Sequence, residues 1–488
     1  MKKDSVKVNF IYNLIYNIIN IIVPLLTAPY TSRVLGAANI GIYSYTYSIV
    51  SSMILFGALG TATYGQREIA AAGDDIEKRS RLFWEIWILK AIATIVIFIF
   101  FLPYAIATKY CLYYLLQIPF FVAAILDISY LFQGLEKFKY IAIRNSLVRI
   151  VGIILLFLLV KNQNDLWIYL LIIGVSQMLG NVSMWPYLRG NLCGVKLSVK
   201  GVTRHFKEVL IYFLPSVTYQ IYAVLDKAML GWLVGSEYEN GYYEQAYKII
   251  NMVVNIISAY TIVMRSRMSV LFAKNAREEI HNKMVTSYNF IAFLVFPMTF
   301  GLAAVASGMV PWFFGDGYDQ VTYLLYLFCP IFIFMGYSRM IGTHILTPSG
   351  RQVISNYAQI SAAVINIIFN AILIPRFFAA GAAIASVVSE IVVMMVYFIM
   401  VRKEIDFREM FDAAWKKVIA AVVMFVVLFN VEKMFTVSIQ ASFFEIVIGI
   451  AVYGVVLLLL RDSFLCMNAK RVMGRIMSRL DQLFLGGI

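Results

Sequence analysis

The sequence predicts an all-α polytopic membrane protein of about fourteen transmembrane helices, arranged as two six-helix lobes related by a pseudo-two-fold parallel repeat, plus two C-terminal helices. Three observations predict it. Apolar residues make up 61% of the 488 and charged residues only 14%, where a soluble domain sits near half and a quarter. Soluble cores stop growing at about 250–300 residues, so this excess needs the bilayer as its solvent. The basic residues fall in short clusters between the apolar runs, and one pattern of glycines and tyrosines occurs twice.

Each span needs about 20 mostly apolar residues. The N-lobe, residues 1–200, supplies segments 10–32, 39–63, 84–106, 110–133, 144–161 and 166–188. The C-lobe, residues 201–405, supplies 207–234, 241–264, 286–308, 320–346, 355–375 and 379–401. Residues 406–488 supply 414–431 and 442–460, followed by a basic tail. Barrel strands would alternate over about 10 residues, and these runs do not. The charged residues 1–7 ahead of the first segment imitate a signal peptide. No small-residue cleavage site follows, and the apolar stretch is long enough to span, so it is read as the first helix.

Charge sets the orientation. With the N-terminus in the cytoplasm, 31 of the 41 Lys and Arg fall in cytoplasmic segments and 5 in external loops, namely Arg33, Lys109, Lys161, Arg376 and Lys433. The other five, Lys90, Arg149, Lys227, Lys248 and Arg339, lie inside spans. So strong a positive-inside bias predicts both termini in the cytoplasm and an even number of spans. It also accounts for the net charge of +14 without nucleic acid as a partner, because the basic residues form no single patch.

The repeat is local but ordered. Gly41, Tyr43, Tyr47 and Ile49 match Gly241, Tyr243, Tyr247 and Ile249 at a constant offset. Six spans separate the copies, so both have the same membrane orientation, as in transporters built from parallel repeats.

Charges inside spans cost about 2.5–3.5 kcal/mol each on insertion scales and mark functional sites or pairs. The N-lobe has Asp127 and Arg149. The C-lobe has Asp226, Lys227, Glu244, Lys248, Arg339 and Glu390. Glu244 precedes Lys248 by four residues, the order in which two helical side chains neutralise each other. Arg149, Arg33 and Lys90 lie near segment ends, where they can anchor at the interface. Asp226 and Lys227 lie two or more turns inside their segment. Asp127 and Glu390 are deep enough to carry protons, or to serve as hydrogen-bonded glue. Tyr43, Tyr47, Tyr243 and Tyr247 read either as packing or as stacking surfaces for sugars.

Several chemistries have no support. Cys111, Cys193, Cys329 and Cys466 show no paired spacing, and His205, His281 and His344 are scattered, so no disulfide framework, metal site or cofactor is expected. No phosphate-binding glycine loop is present. A membrane glycosyltransferase or polymerase would need a sizeable acidic external loop. The candidates Glu237, Glu239, Asp316 and Asp319 sit in loops too short for one. No catalytic residue is assigned.

A series of motifs runs in order along the chain. Pro29-Tyr30-Thr31-Ser32-Arg33-Val34-Leu35-Gly36 precedes Gly41-Ile42-Tyr43-Ser44. Gly65-Gln66-Arg67-Glu68-Ile69-Ala70 and Leu131-Phe132-Gln133-Gly134-Leu135-Glu136 follow. Then come Asp226-Lys227-Ala228-Met229-Leu230-Gly231 and Gly241-Tyr242-Tyr243, and later Asn366, Asn370, Ile374-Pro375 and Gly381-Ala382-Ala383-Ile384-Ala385 with Glu390. Together they resemble the bacterial polysaccharide flippases of the multidrug/oligosaccharidyl-lipid/polysaccharide exporter superfamily, a resemblance that runs from about residue 10 to 400 and leaves the last two segments without a signature.

It implies two lobes around a central cavity in the bacterial cytoplasmic membrane. That cavity alternates its access and has a cationic lining for the pyrophosphate of an undecaprenyl-linked oligosaccharide destined for capsule or exopolysaccharide. It also implies coupling to H+ or Na+ or to membrane potential, and work alongside a polysaccharide polymerase and other assembly proteins. Arg33, Lys227, Lys248 and Arg339 are the expected cationic lining. Asp127, Asp226, Glu244 and Glu390 are the expected coupling or ion-pair carboxylates. Asp226-Lys227 stands where the family pattern has Asp-Arg, which keeps the charge but loses the bidentate fork. Lipid II flippases and multidrug exporters share the superfamily. The single arginine before Arg67 argues against the former, and basic residues inside the spans argue against the latter.

Overall fold

The computed structural model describes residues 6–467, and the basic tail beyond them, with Lys2 and Lys3, lies outside the described residues. Sixteen α-helices follow one another with no β-strand among the described residues. They are α1 (Val6–Ala58), α2 (Thr61–Ala72), α3 (Ile76–Ala107), α4 (Cys111–Leu115), α5 (Ile118–Leu126), α6 (Ser129–Gly134), α7 (Phe138–Leu159) and α8 (Leu166–Val182). The chain continues through α9 (Val199–Val234), α10 (Glu237–Ala273), α11 (Arg277–Phe314), α12 (Asp319–Phe328), α13 (Ile331–Ile341), α14 (Gln352–Val401), α15 (Phe407–Glu432) and α16 (Ile439–Leu459).

The fourteen apolar segments are mainly helical, the fourth divided among α4, α5 and α6 and the tenth between α12 and α13. Nine helical stretches of the described residues are individually long and apolar enough to cross a membrane, or ten if the bent pair α12–α13 is one span. Two of the nine run for 51 and 50 residues. At 1.5 Å per residue each is about 75 Å long, enough for two crossings of a hydrocarbon layer about 30 Å thick. Within them α1 and α14 are each broken where two of the sequence segments meet, and the 51-residue stretch, Ile22–Ala72, turns again at Leu59–Gly60 between α1 and α2. In α1 the break is Gly36, at φ 78° and ψ 165°, a backbone conformation that glycine adopts without penalty. In α14 it follows Pro375 and centres on Phe378 at φ 54°, which costs a residue with a Cβ about 1–2 kcal/mol.

The remaining ends are set by local chemistry. Asp75, Ser198, Asp406 and Ser438 cap α3, α9, α15 and α16 by accepting from backbone N–H groups of the first turn, which would otherwise be unpaired. Pro330 separates α12 from α13, which bend by 43°.

The chain forms two compact units. One comprises the chain up to Lys248 together with Ala363–Ala385. In it α1 packs on α3, α7 and α9, α5 on α8, and α2 on α6. Tyr114, Phe83 and Phe132 are among its most buried side chains. The other comprises Ile249–Ala362 and the chain from Ser386. There α11 packs on α13, α15 and α16 around Tyr288, Ile291, Met340 and Leu457. Lys417 is fully buried in this second unit and donates to Asp462 (2.8 Å), Asn289 (3.1 Å) and the Ala413 carbonyl (2.8 Å). Facing outward, α3 presents Ile99 at 60% and Phe100 at 76% exposure, a surface suited to lipid rather than water. This is a multi-pass membrane protein.

Candidate functional site

The repeated glycines meet. A Cβ on Gly41 would lie 1.7 Å from the Glu237 carbonyl oxygen, and one on Gly241 would lie 2.0 Å from that of Ala37. Each glycine therefore receives the carbonyl four residues before its counterpart. That reciprocity is the signature of a contact across a two-fold axis, and small residues at such a crossing let helix backbones touch. The equivalence continues one turn on, where Ser44 Oγ donates to Glu244 Oε2 at 3.0 Å, again between matching positions.

Beside this crossing the first unit gathers three of the charges picked out in the sequence. Glu244 is buried on α10 and takes Lys227 of α9 at 2.5 Å and Lys248, one turn along its own helix, at 3.7 Å. The i,i+4 pair expected from the sequence is thus present, but the closer partner of Glu244 is Lys227. Two ammonium groups share one carboxylate, which leaves the trio one positive charge in excess. Asp226, the residue before Lys227, takes neutral donors as well. Its Oδ2 accepts from the Tyr243 hydroxyl at 2.6 Å and its Oδ1 from Asn370 Nδ2 at 2.5 Å. Asn370 also donates to Asn366 at 3.0 Å.

The tyrosines of the repeat pack as two stacked pairs, one turn apart in each copy. Tyr43 and Tyr47 lie 5.5 Å apart between ring centroids, and Tyr243 and Tyr247 lie 5.9 Å apart. Lys227 Nζ sits 5.3 Å from the Tyr247 centroid, within the range of cation–π attraction. Tyr243 is buried, whereas Tyr43, Tyr47 and Tyr247 keep partial exposure.

The other singled-out residues lie elsewhere. Asp127 does not sit mid-helix, because the fourth segment is broken between α5 and α6 at that point. Its carboxylate accepts from the Ser129 backbone N–H at 2.9 Å and from the Ser129 hydroxyl. The break leaves the Asp127 carbonyl without a helical donor, and Lys90 supplies one. Lys90 is accordingly buried, not anchored at the interface as its place in the sequence suggested. Arg33 is exposed, three residues before the Gly36 break. In the second unit Arg339, on α13, donates to the Ser258 hydroxyl, and Glu390 is buried on α14.

Sequence reasoning missed Ser44, Asn366 and Asn370 as partners of these charges. The two asparagines, one helical turn apart in an apolar segment, were the available signal. It also missed a network in which Glu85 accepts from Arg204 at 2.8 Å and pairs with His205 at 3.0 Å, while His205 Nδ1 meets the Tyr64 hydroxyl at 2.7 Å. Glu85, an acid just inside the third segment, was its only mark.

Among known proteins, the profile of the family described as polysaccharide biosynthesis protein matches residues 6–269. A protein named putative O-antigen transporter from Escherichia coli (strain K12) is 23% identical over 408 residues, covering 82% of this chain and 97% of its own length. The probable low-salt glycan biosynthesis flippase Agl15 of Haloferax volcanii is 23% identical over 306 residues, covering 62% of this chain and 64% of its own. The solved structure of the lipid II flippase MurJ in an inward closed conformation aligns over 93% of this chain and 99% of that one. Its TM-score is 0.69 at 17% identity, a likeness of fold. Both sequence relatives are named for transport or flipping and not for catalysis. The family profile spans more than half of the sequence, so this chain belongs to the polysaccharide biosynthesis protein family.

Proposed function

We propose that this protein flips undecaprenyl-pyrophosphate-linked oligosaccharide repeat units from the inner to the outer leaflet of a bacterial cytoplasmic membrane, for capsule or exopolysaccharide synthesis. The observation that carries the reading is the pair of lysines sharing Glu244 beside stacked tyrosines. A pyrophosphate entering a low-dielectric region is very costly without a cation. The two ammoniums against Glu244 are cations a pyrophosphate can meet, and Glu244 and Asp226 keep the site tolerable when it is empty; if the two carboxylates fully neutralise the lysines, the cations are structural instead. The partly exposed tyrosines suit the sugars that follow the pyrophosphate. An exporter of organic cations would call for the opposite balance.

In this reading residues 1–200 and 201–405 act as the two lobes of an alternating-access carrier, residues 406–488 add two helices and a basic tail, and both termini face the cytoplasm. The charge bias puts the Gly41–Gly241 crossing toward the outer face, so it must part for release. Coupling to H+ or Na+ runs through a buried carboxylate. Asp226 is the best placed, because it is fully buried among polar side chains next to Lys227. Delivery to a polysaccharide polymerase and other assembly proteins completes the reading.

Charge removal tests it. Lys227, Lys248 and Arg339 are each replaced by Gln, membrane levels are matched, and surface polysaccharide is measured. The reading requires at least two of the three to lose most export. Retained export in all three means that these cations are structural.

A further inference from the structure

We propose that the C-terminal ends of α11 and α15 and the first turns of α16 form a binding site for a divalent cation, Ca2+, with Glu432 and Glu445 as its carboxylate ligands. The site lies wholly within the second compact unit and does not depend on the flipping function. It gives the last two helices, which carry no motif, a task of their own.

Three observations carry the inference. The first is a cavity of about 330 Å³, lined by Ser307 and Gly308 of α11, Glu432 and Lys433 around the end of α15, and Ser442 and Glu445 of α16. A single water needs about 10–15 Å³ of such space, so an ion fits with part of its water shell. Thr436 and Val437, on the same wall, are exposed, and solvent ions reach the cavity past them. The second is Glu445 itself. It is only 2% exposed, in the second turn of α16, and its Oε2 has no hydrogen-bond partner among the described residues. The third is its neighbour. Glu432 Oε1 is met by the Ser307 hydroxyl, and the two carboxylates flank one spot, because a Cβ on Gly308 would lie 3.2 Å from Glu432 Oε1 and 3.8 Å from Glu445 Oε2.

Chemistry selects the occupant. A buried carboxylate without a donor must be paired, hold a metal or take up a proton. A proton shared with Glu432 would draw the oxygens into a bond of about 2.5–2.7 Å, and Glu445 Oε2 makes none. A lone proton needs no cavity. The lining instead offers what a hard cation takes, carboxylate and hydroxyl oxygens with water filling the rest. Two carboxylates match a charge of two. Ca2+ accepts six to eight oxygens at about 2.3–2.6 Å in flexible geometry, whereas Mg2+ demands a near-ideal octahedron. Flexible geometry suits ligands that come from three helices and must each swing in by about an ångström. Lys433 also lines the cavity, but its ammonium lies 4.3 Å from the Phe429 ring centroid and pairs with neither carboxylate among the described residues. Its nearby charge weakens binding, which puts the site in the class of extracellular modules, with Kd of about 10⁻⁴–10⁻³ M. The orientation proposed above turns this end of the helices to the outer face. The bound ion ties α16 to α11 and α15 there.

The test uses the full chain in phosphatidylcholine nanodiscs, with Tb3+ as a luminescent stand-in for Ca2+ and empty nanodiscs as background. Trp312 donates to Ser442 Oγ at 2.7 Å, so its excitation should sensitise an ion held in the cavity. The emission is expected to saturate at one ion per chain and to be lost in Trp312→Phe. Ca2+ should displace Tb3+ with an apparent Kd of about 10⁻⁴–10⁻³ M, and Na+ or K+ at the same concentration should not. Glu445→Gln and Glu432→Gln should each weaken binding about tenfold or more. Gly308→Val keeps both carboxylates and fills the spot between them, so it should weaken binding likewise, and it keeps the test valid if either amide impairs folding. Affinity unchanged in these variants, or emission that survives Trp312→Phe, places the ion elsewhere and overturns the site. Displacement by Na+ as effective as by Ca2+ overturns the divalent assignment. Absence of saturable emission at neutral pH means that Glu445 holds a proton instead, and overturns the proposal.

Discussion

Alanine at Gly41 or Gly241 strikes the contact that ties the two repeats together. A normal carbon–oxygen contact is about 3.3 Å. The added Cβ would meet a carbonyl oxygen at 1.7 Å in one case and 2.0 Å in the other. The blocking atom is backbone, which has no rotamer to yield, so α1 and α10 must part by more than about 1 Å. A gap of that size forfeits a quarter to a half of each contact's attraction, and overpacking of this kind costs about 1–3 kcal/mol. Alanine also raises helix propensity by up to about 1 kcal/mol, and Gly454→Ala measures that gain alone, since nothing lies within 4 Å of its Cβ position. Unfolding by SDS in mixed micelles should show each of Gly41→Ala and Gly241→Ala less stable than Gly454→Ala by about 1–3 kcal/mol. The two substitutions should not add. Once the helices have parted for one methyl, the second fits, so the double variant should cost little more than either single one, with a coupling of about 0.5–3 kcal/mol. Costs indistinguishable from the control, or strict additivity, would refute the reciprocal crossing.

Other outcomes follow from the same structure. Lys417→Met should destabilise the protein by about 3–5 kcal/mol because it strands the buried Asp462, and adding Asp462→Leu should recover most of the loss; an equal or larger loss in the double variant would show that the pair is not the cause. Asp226→Asn should leave membrane levels intact but abolish the dependence of transport on the ion gradient, and an unchanged dependence would remove Asp226 as the coupling group. Cysteines at positions 238 and 318 of an otherwise cysteine-free chain should react with an impermeant reagent from outside, and one at position 200 should not; labelling at 200 in intact cells would overturn the orientation.

The membrane architecture was legible because its cause is compositional. A span needs a long apolar run, and a run of that length leaves little ambiguity about helix. The breaks were harder to read. Gly36 and Pro330 are marked by residue type, but Phe378 carries no sign of its positive φ, and the break at Asp127 shows only once Ser129 caps against it. The site was half legible. Glu244 and Lys248 announce themselves by spacing on one helix, whereas the closer partner, Lys227, comes from another helix and depends on how the two pack. The repeat showed that Gly41 and Gly241 are equivalent, but equivalence does not imply contact. Lys417 lay at the edge of an apolar segment and read as a cytoplasmic charge. Its burial depends on Asp462 approaching from beyond α16, 45 residues along the chain.

Translocation itself is the central claim. The purified protein is reconstituted into liposomes containing undecaprenyl-pyrophosphate-linked oligosaccharide with a fluorophore on its sugar, and a membrane-impermeant quencher is added. The account predicts that quenching rises beyond the outer-leaflet fraction toward completeness over time, and that Lys227→Gln liposomes stop at the outer-leaflet fraction. Quenching that halts at that fraction with the native protein, under an imposed ion gradient of either H+ or Na+, would contradict it.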